Sequence, residues 1–229
     1  MQGKLIIIES GADSSGKATQ TQLLFKRLTA EAYPVKKVEF PNYQSPSSAL
    51  VKMYLNGDFG KNPSDVDPYV SSTFYAVDRF ASYKTEWEGF YTGGGIILAD
   101  RYTTSNMVHQ GAKLKGTDKD KYLDWLLNLE FNIYQLPVPD GVIFLDMPTD
   151  FSNRLMAERK NKITGKREKD IHERNQEYLN ISYENSLYVA EKYGWIKISC
   201  VMREQLRTIE EIHEDVYKKV KLILDDQDV

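Results

Sequence analysis

The segment Gly11–Lys17 carries the residues of a phosphate-binding loop. Its sequence GADSSGK fits the pattern G-x-x-x-x-G-K, with an apolar run before it and leucines at helical spacing after it. Glycines let successive backbone N–H groups turn toward phosphate oxygens, and the following helix N-terminus adds positive potential. Lys17 supplies a mobile charge for the terminal phosphates. The residues that this loop would contribute are Gly11, Ser14, Ser15, Gly16, Lys17, Ala18 and Thr19.

One position of the loop departs from the usual pattern. Ser or Thr normally follows the lysine because its hydroxyl binds Mg²⁺, whereas Ala18 has no side-chain oxygen. A metal ion would then be held by carboxylates and water, or the metal site would be arranged differently. Asp100, at the end of a predicted strand, is the best-placed carboxylate, and Glu9, at the end of the first strand, is the second candidate.

The Asp100-Arg101 pair follows the third predicted strand. In an open α/β sheet, ligands bind beyond the carboxyl ends of the strands. The guanidinium of Arg101 is planar and always charged, and it can bind a phosphate through two parallel hydrogen bonds. The ordinary alternative is an ion pair that caps the strand.

Other polar residues recur four positions apart, which places the members of each pair on one helix face. From the residues alone, Tyr75 is best interpreted as an aromatic core residue and Arg79 as a surface arginine. His109 is best interpreted as structural, because a lone histidine on a helix more often is. The three pairs are Tyr75 with Arg79, Ser105 with His109, and Asn106 with Gln110.

A basic stretch near residue 160 surrounds Gly165. By composition alone, a solvated charged loop explains it as well as a ligand-binding segment does. Its cationic residues are Arg154, Arg159, Lys160, Lys162, Lys166, Arg167 and Lys169.

The elements that must position these residues alternate between short buried strands and helices. This alternation predicts a three-layer α/β fold with a five-stranded parallel sheet covered on both faces, in one domain spanning residues 1–229. The predicted strands are Gly3–Glu9, Val35–Phe40, Ile96–Ala99, Gly141–Asp146 and Trp195–Ser199. The predicted helices are Gly16–Ala32, Asp67–Tyr91, Tyr122–Tyr134, Thr149–Arg159, Ile171–Tyr193 and Thr208–Leu224, with a further helix beginning after Tyr102.

Composition excludes several classes of protein. The 229 residues include 30 Lys+Arg and 33 Asp+Glu, and the resulting net charge of −3 gives no support to non-specific nucleic-acid binding. A single cysteine, Cys200, excludes an intramolecular disulfide framework. The longest apolar runs, Leu5–Ile8 and Ile96–Ala99, are too short to span a bilayer. With no signal-peptide pattern at the N-terminus, we expect a soluble, cytoplasmic protein.

Taken in order along the chain, these motifs resemble the thymidylate kinase (dTMP kinase) family of P-loop nucleoside-monophosphate kinases. The resemblance covers nearly the whole length, and its distinctive pair is the D-R-Y-x-x-S segment together with an earlier helix that carries x-D-R. The segments that carry it are the phosphate loop with its internal Asp13, Phe40-Pro41, Phe74–Arg79, Asp100–Ser105, the basic stretch, and the tail Ile209–Asp215.

The resemblance implies a role for each acceptor-side residue. It assigns Asp13 to the sugar 3′-hydroxyl of the acceptor, although a loop carboxylate also caps helices. It makes Arg101 the clamp on the acceptor phosphate and Asp100 the organiser of Mg²⁺ and water. It places Tyr75 against thymine and Arg79 on the thymine O4. The remaining residues that it brings to the acceptor are Phe40, Pro41, Ser105, Asn106, His109 and Gln110, with Asn106 at the base and His109 near C2′.

The resemblance also makes residues of about 156–170 the LID that closes over ATP. Because Ser14 stands where some members have a catalytic arginine in the phosphate loop, Arg159 and Arg167 are the LID candidates for that role, and spacing alone does not choose between them. Arg154 would pack on adenine. Relatives commonly carry an arginine near the position of Tyr43, so binding of the acceptor phosphate would depend more on Arg101.

The implied reaction is transfer of the ATP γ-phosphoryl group to dTMP with Mg²⁺, in a homodimer that binds neither nucleic acid nor membrane. An alternative is another nucleotide or deoxynucleoside kinase of the same fold with a different acceptor. A P-loop ATPase that acts as a switch is a third interpretation, against which the D-R-Y segment and the basic stretch argue.

Overall fold

A five-stranded parallel sheet organises the part of the chain that the computed structural model describes, which is residues 3–12, 14–156, 170–172 and 175–225. The strands lie in the order β2-β3-β1-β4-β5. Their bounds are β1 (Lys4–Glu9), β2 (Val35–Glu39), β3 (Ile96–Asp100), β4 (Gly141–Asp146) and β5 (Ile196–Ser199). Each predicted strand is confirmed to within one residue at either end, as is the three-layer α/β class.

Helices cover both faces of this sheet. Those in the described residues are α1 (Lys17–Ala30), α2 (Ala49–Asn56), α3 (Pro68–Ser82), α4 (Glu88–Thr92), α5 (Thr103–His109), α6 (Gly116–Leu127), α7 (Thr149–Met156), α8 (Gln176–Lys192) and α9 (Ile209–Leu224). None of these helices combines the length and apolar character that crossing a bilayer requires.

The alternation of side chains along β1 builds two cores. Ile6 and Ile8 point to the face that α1 and α9 cover, where they pack with Leu24 and Val216. Leu5 and Ile7 belong to the opposite core, which contains large aromatic residues. These aromatic residues are Phe40, Tyr83, Trp87, Tyr91 and Tyr102. Because both faces are buried, the middle of the strand, Leu5–Ile8, is entirely aliphatic, as expected for a central parallel strand.

The carboxyl ends of the three strands at the centre and one side of the sheet lie in register. Asp100 pairs with Ile8 of β1 and with Glu39 of β2. The Arg101 N–H also donates to the Ile8 carbonyl at 3.2 Å. The loops that follow β1, β2 and β3 therefore leave the sheet side by side, at the edge where ligands bind in open α/β folds.

Two predicted helices differ from the structure. Asp67–Tyr91 is helical but not uniformly so, since a π-helical segment, Tyr83–Trp87, separates α3 from α4. The predicted helix Tyr122–Tyr134 begins earlier, at Gly116, and changes to a second π-helical segment, Asn128–Ile133. In both places a wider turn re-aims the side chains that follow it.

One helix was missed, one predicted helix starts later than expected, and the end of another is not tested. Helix α2 is absent from the sequence-based prediction. The predicted helix Ile171–Tyr193 starts only at Gln176, where the Asn175 side chain accepts a hydrogen bond from the Tyr178 N–H at 2.9 Å and caps the helix. The last three residues of the predicted helix Thr149–Arg159 lie outside the described residues.

A two-stranded hairpin follows β5 and was not predicted. Its strands, β6 (Val201–Met202) and β7 (Gln205–Leu206), are joined by Arg203 and Glu204, which have φ angles of 51° and 61°. Two central residues at positive φ form the turn that matches the twist of a two-residue hairpin. The hairpin delivers the residues that follow it to the carboxyl edge of the sheet.

Candidate active site

The loop between β1 and α1 surrounds the Lys17 side chain. The Lys17 ammonium donates to Ser10 Oγ at 2.7 Å and to the Ala12 carbonyl at 3.3 Å. Ser14 and Gly16 have φ angles of 57° and 90°, a left-handed backbone that directs successive N–H groups into one concavity. Ser14 Oγ is buried and has no hydrogen-bond partner among the described residues. This arrangement suits an anion at the N-terminus of α1.

Gly11 serves the packing of this loop against α8. A Cβ atom at Gly11 would lie 2.0 Å from Ser186 Oγ and 3.1 Å from Tyr183 Cα. The first glycine of the loop is therefore required by a helix behind it, independently of any bound phosphate.

Arg101 lies where β3 gives way to α5. Its φ of 71° is unusual for a residue with a side chain, and such strain is common at functional sites. The guanidinium Nη1 lies 3.0 Å from His109 Nε2 and donates to Ser105 Oγ at 3.4 Å. With 20% of its side chain exposed, Arg101 is held firmly yet reaches the cleft.

Glu9 supports Arg101 from beneath. Its side chain is fully buried, and its two oxygens accept hydrogen bonds from the Ser10 N–H at 2.9 Å, Thr104 Oγ1 at 2.8 Å and Ser105 Oγ at 2.5 Å. Glu9 Oε1 is also 3.9 Å from Arg101 Nη1. These contacts fix the start of α5 against β1, and the metal role of Glu9 stays a prediction.

The polar residues of α5 and of the turn after it are held by α3. Ser71 Oγ donates to Gln110 Oε1 at 2.7 Å, and Asn106 Nδ2 lies 3.4 Å from the Ser72 carbonyl. Asn106 and Gln110 are almost completely buried, at 2% and 1% exposed. Buried amides in defined hydrogen bonds present fixed donors and acceptors to a ligand.

Tyr75 contributes an aromatic face to the same wall. Its ring packs edge-on against Tyr54 with 6.4 Å between centroids. Burial raises the pKa of the Tyr75 phenol well above its ordinary value, so the ring is neutral at physiological pH. A neutral, partly buried aromatic ring beside a cleft suits stacking on a nucleobase.

Arg79, which is predicted to contact the base, forms a buried ion pair with Glu130. It is 1% exposed, and its Nε and Nη2 donate to the two oxygens of Glu130 at 2.7 and 2.5 Å. Nη1 is 3.3 Å from the Tyr102 carbonyl. Its role as a ligand of the base remains a prediction, for which Nη1 is the available donor.

A cleft of about 510 Å³ brings the two predicted groups of residues together. It runs from the phosphate loop, past the ends of β2 and β3, to α3 and α5. The predicted residues that line it are Ser14, Ser15, Gly16, Lys17, Ala18, Thr19, Phe40, Pro41, Tyr75, Arg79, Asp100, Arg101, Ser105, Asn106, His109 and Gln110.

Some predicted residues are not part of this lining. Among the described residues these are Gly11, Glu9 and Arg154. Arg154 is exposed on α7, with its guanidinium 5.5 Å from the centre of the Phe151 ring. Asp13, Arg159 and Arg167, together with most of the predicted LID (156–170), lie outside the described residues.

The cleft also has lining residues that sequence analysis missed. At the end near the phosphate loop these are Gln20, Leu206, Arg207 and Ile209. Gln20 Nε2 donates to the Ile209 carbonyl at 2.9 Å, while Gln20 Oε1 is buried without a partner in the described part of the chain. The two-residue strands that lead to Arg207 are too short to give a periodic signal.

His172 and Asp170 also line the cleft. Neither was predicted as a site residue by itself, although Asp170 is the last residue of the predicted LID range. The His172 ring stacks on His109 with 6.1 Å between centroids, and its Nε2 lies 3.0 Å from Tyr54 Oη. Both residues follow the basic stretch and carry no pattern of their own, so only the tertiary contact with α2 and α5 identifies them.

Comparison with known proteins decides the family. A model of the thymidylate kinase family matches residues 8–198, which run from β1 to β5 and enclose most of the cleft. The chain belongs to the thymidylate kinase family. This assignment accounts for the phosphate loop and the D-R-Y segment in one chain.

Thymidylate kinases of distant organisms are similar over nearly their full length. The thymidylate kinase of Plasmodium falciparum is 25% identical, over 97% of this chain and 91% of its own. A probable thymidylate kinase of Pyrococcus horikoshii is 28% identical, over 96% of this chain and 97% of its own. A solved structure of the Candida albicans thymidylate kinase superposes with a TM-score of 0.69 at 22% identity, covering 96% and 92% of the two chains, and it supports the fold.

Proposed function

We propose that this chain transfers the γ-phosphoryl group of ATP to the 5′-phosphate of dTMP, giving dTDP and ADP. The observation that carries the proposal is the cleft, in which a phosphate loop faces an arginine and a polar, aromatic wall. Membership of the thymidylate kinase family supports the reaction class. The two halves of the cleft match the two substrates of such a transfer.

The acceptor would lie between α3 and α5. In this proposal thymine stacks on Tyr75, Arg79 donates to O4, and the Asn106 amide pairs with the base edge. Gln110 and Ser105 complete the polar wall, while Phe40 and Pro41 flank the acceptor at the end of β2. A guanidinium offers only donors, so a carbonyl at C4 is favoured over the amino group of cytosine.

Arg101 would bind the acceptor phosphate. Its contacts with His109 and Ser105 fix the guanidinium, and the strained backbone brings it to the end of β3. His109, which these contacts hold beside Arg101, would lie at the sugar. Asp13 is proposed for the 3′-hydroxyl.

The donor triphosphate would lie on the phosphate loop. Lys17 and the loop residues Ser14, Ser15 and Gly16 would bind the β- and γ-phosphates. Ala18 and Thr19 would lie against the phosphates at the first turn of α1. The adenine end would be formed by Leu206, Arg207 and Ile209, with Arg154 proposed to pack on the base.

The protein's task in this reaction is positioning and charge neutralisation. The attacking oxygen is already an ionised phosphate, so no general base is required. Lys17 and Arg101 would hold the two phosphates in line from opposite sides. We propose that residues of about 156–170 act as a LID within one kinase domain, and that Arg159 or Arg167 meets the charge on the transferred group.

The residues present fit a magnesium ion bound mainly by phosphates. Mg²⁺ in such sites takes one or two carboxylates together with phosphate oxygens and water. Asp100 lines the cleft and is 4% exposed, whereas Glu9 is fully buried and is not part of the lining. The described residues hold no cluster of three or more metal-ligating side chains. When bound, the ion would neutralise charge on the transferred phosphoryl group, with Asp100 as its protein ligand.

The proposal is tested by offering single acceptors. The purified protein is incubated with ATP and Mg²⁺ and, separately, with dTMP, dUMP, dCMP, UMP, CMP, AMP, GMP or thymidine, and the products are separated by chromatography. We expect dTDP as the dominant product with weaker dUDP, because one methyl group contributes only about 1 kcal/mol of burial.

Two other outcomes would contradict the proposal. Transfer to a different monophosphate, or to thymidine, would keep the phosphate loop but refute the assigned acceptor pocket. Formation of ADP with no phosphorylated acceptor would instead favour an ATPase.

A further inference from the structure

Glu130 is a fully buried carboxylate that the proposed reaction does not use. It lies in the π-helical segment Asn128–Ile133 that extends α6, and its exposed fraction is 0%. A buried charge is stable only where it is paired and hydrogen-bonded. The hydrogen-bond partners of Glu130 therefore indicate its role.

Within the described part of the chain, the hydrogen bonds of its carboxylate lead to the acceptor wall of the cleft. Oε1 accepts from Arg79 Nη2 at 2.5 Å, and Oε2 accepts from Arg79 Nε at 2.7 Å. Oε2 also accepts from Thr103 Oγ1 at 2.6 Å. One carboxylate thus links α3, which carries Arg79, to the first residue of α5.

The bidentate pair fixes the direction of the third guanidinium nitrogen. With Nε and Nη2 of Arg79 held on one carboxylate, the plane of the guanidinium cannot turn, and Nη1 projects from the opposite side. Nη1 has a longer contact, 3.3 Å, with the Tyr102 carbonyl, and Arg79 lines the cleft.

Thr103 extends this constraint to the second base-facing residue. Asn106 lies three residues after Thr103 on α5, about one helical turn away. The carboxylate that orients Arg79 therefore also anchors the helix that presents Asn106.

We propose that Glu130 is a positioning residue for acceptor specificity: it aims Arg79 Nη1 at the C4 carbonyl of the acceptor base and sets the spacing between α3 and α5. This inference rests on the proposed function. It assigns selectivity for a 4-oxo pyrimidine over a 4-amino pyrimidine to a residue that does not touch the base.

The test measures selectivity rather than activity alone. For the wild type, Glu130→Gln, Arg79→Met and the double variant, kcat and KM are determined with dTMP and with dCMP. We expect Glu130→Gln to raise KM for dTMP about tenfold with kcat changed less than about threefold, to leave KM for ATP unchanged, and to reduce the dTMP/dCMP ratio of kcat/KM.

The double variant separates positioning from general stabilisation. If Glu130 acts mainly through Arg79, then Glu130→Gln changes the selectivity ratio much less in the Arg79→Met background than in the wild type, and the change that remains reports its hydrogen bond to Thr103. A residue with only a structural role would produce the same change in both backgrounds. Glu184→Gln, on the exposed surface of α8, is the matched control and should leave every constant unchanged.

Thr103→Val keeps the test decisive if Glu130→Gln does not fold. This variant preserves the buried ion pair and removes only the hydrogen bond from Thr103 to Oε2, so we expect a smaller loss of selectivity in the same direction. An unchanged dTMP/dCMP ratio in Thr103→Val and in any folded Glu130→Gln protein would overturn the inference. A wild type that fails to phosphorylate dTMP would instead overturn the proposed function, and the inference with it.

Discussion

Lys17 places a positive charge inside a nearly closed loop. It is 7% exposed, and its ammonium already contacts oxygens of Ser10, Ala12 and Ser15. The loop is thus shaped around a cation before any phosphate binds, and a bound anion would gain from a charge that needs little reorganisation.

Replacement of this lysine should abolish transfer without unfolding the chain. We predict that Lys17→Ala lowers kcat for dTDP formation by about 10²-fold or more, because an uncharged side chain cannot neutralise the transferred phosphoryl group. Circular dichroism should be unchanged. Turnover close to that of the wild type would refute the proposed donor site.

Ala18 offers a second test at the same loop. We predict that Ala18→Ser lowers the Mg²⁺ concentration needed for half-maximal activity, because the new hydroxyl supplies a ligand where related loops have one. Ala18→Val is the matched control, since it adds bulk without an oxygen. An unaltered Mg²⁺ titration in Ala18→Ser would mean that the metal lies out of reach of this position.

At the level of single residues, the sequence predicts types and neighbours along the chain but not distant partners. The four-residue spacing correctly puts Tyr75 and Arg79 on α3, and both line the cleft. It gives no sign that Arg79 pairs with Glu130, because that contact joins residues 51 positions apart. The same limit applies to Glu9, whose hydroxyl partner Thr104 lies 95 positions later in the chain.

At the level of secondary-structure elements, prediction succeeds where the hydrophobic pattern of a segment follows its burial directly. The central strands β1, β3 and β4 are short, mainly aliphatic runs that are buried along most of their length, so hydrophobicity locates them. The edge strands β2 (VKKVE) and β5 (IKIS) each include an exposed lysine and give a weaker signal. Helix α2 was not predicted. Its exposed side also carries apolar residues, since Leu50 and Met53 are 45% and 40% exposed, so the sequence shows no clear separation of an apolar and a polar face. The π-helical segments keep an approximately helical pattern, so periodicity does not separate them from the α-helices beside them.

The contact between the phosphate loop and α8 can be tested at Gly11. We predict that Gly11→Ala lowers the melting temperature and raises KM for ATP, because the added methyl group overlaps Ser186 and forces the loop and helix apart. Ser186→Gly should restore part of both losses, since it removes the overlapping atoms.

The matched control for this change is Gly89→Ala. Gly89 lies in α4, and a Cβ atom there meets nothing within 4 Å. This variant should be as stable as the wild type or more stable, because alanine favours a helix. A Gly11→Ala protein that behaves like Gly89→Ala would contradict the proposed packing role.

Lys113 links the turn after α5 to α2 and makes stability depend on pH. Its ammonium donates to Tyr54 Oη at 3.1 Å and to the Val66 carbonyl at 2.9 Å. Burial lowers the pKa of Lys113 from its ordinary 10.5 to about 8, partly offset by Asp67. The unfolded chain therefore binds the proton more tightly than the folded chain between these two values.

The difference between the folded and unfolded pKa of Lys113 predicts how stability changes with pH. Because the unfolded state holds more protons in that window, the contribution of Lys113 to the free energy of unfolding rises as pH increases from about 8 to about 10.5. Below pH 8 both states are protonated, and the cost of the buried charge is present in full. The difference in unfolding free energy between wild type and Lys113→Met should shift in favour of the wild type between about pH 7 and about pH 10. A difference independent of pH would refute the shift.

On the scale of the whole molecule, one helix leaves an apolar surface uncovered. Val70, Val77 and Phe80 of α3 are 49%, 44% and 39% exposed, and their spacing of seven and three residues places them on one stripe. The opposite side of the same helix carries Tyr75 and Arg79 into the cleft. We propose that this stripe is the contact of a homodimer, since grouped exposed apolar residues mark interaction surfaces.

A charge on this stripe should separate the two chains. We predict that Val77→Lys changes the mass measured by light scattering from that of two chains to that of one, because an interface would bury the ammonium without a partner. Ile181→Lys, at an exposed position on α8, is the matched control and should leave the mass unchanged. Val77 does not line the cleft, so a monomer that still binds ATP would show that the donor site forms within one chain. A wild type with the mass of a single chain would refute the dimer, and the apolar stripe would then need another partner.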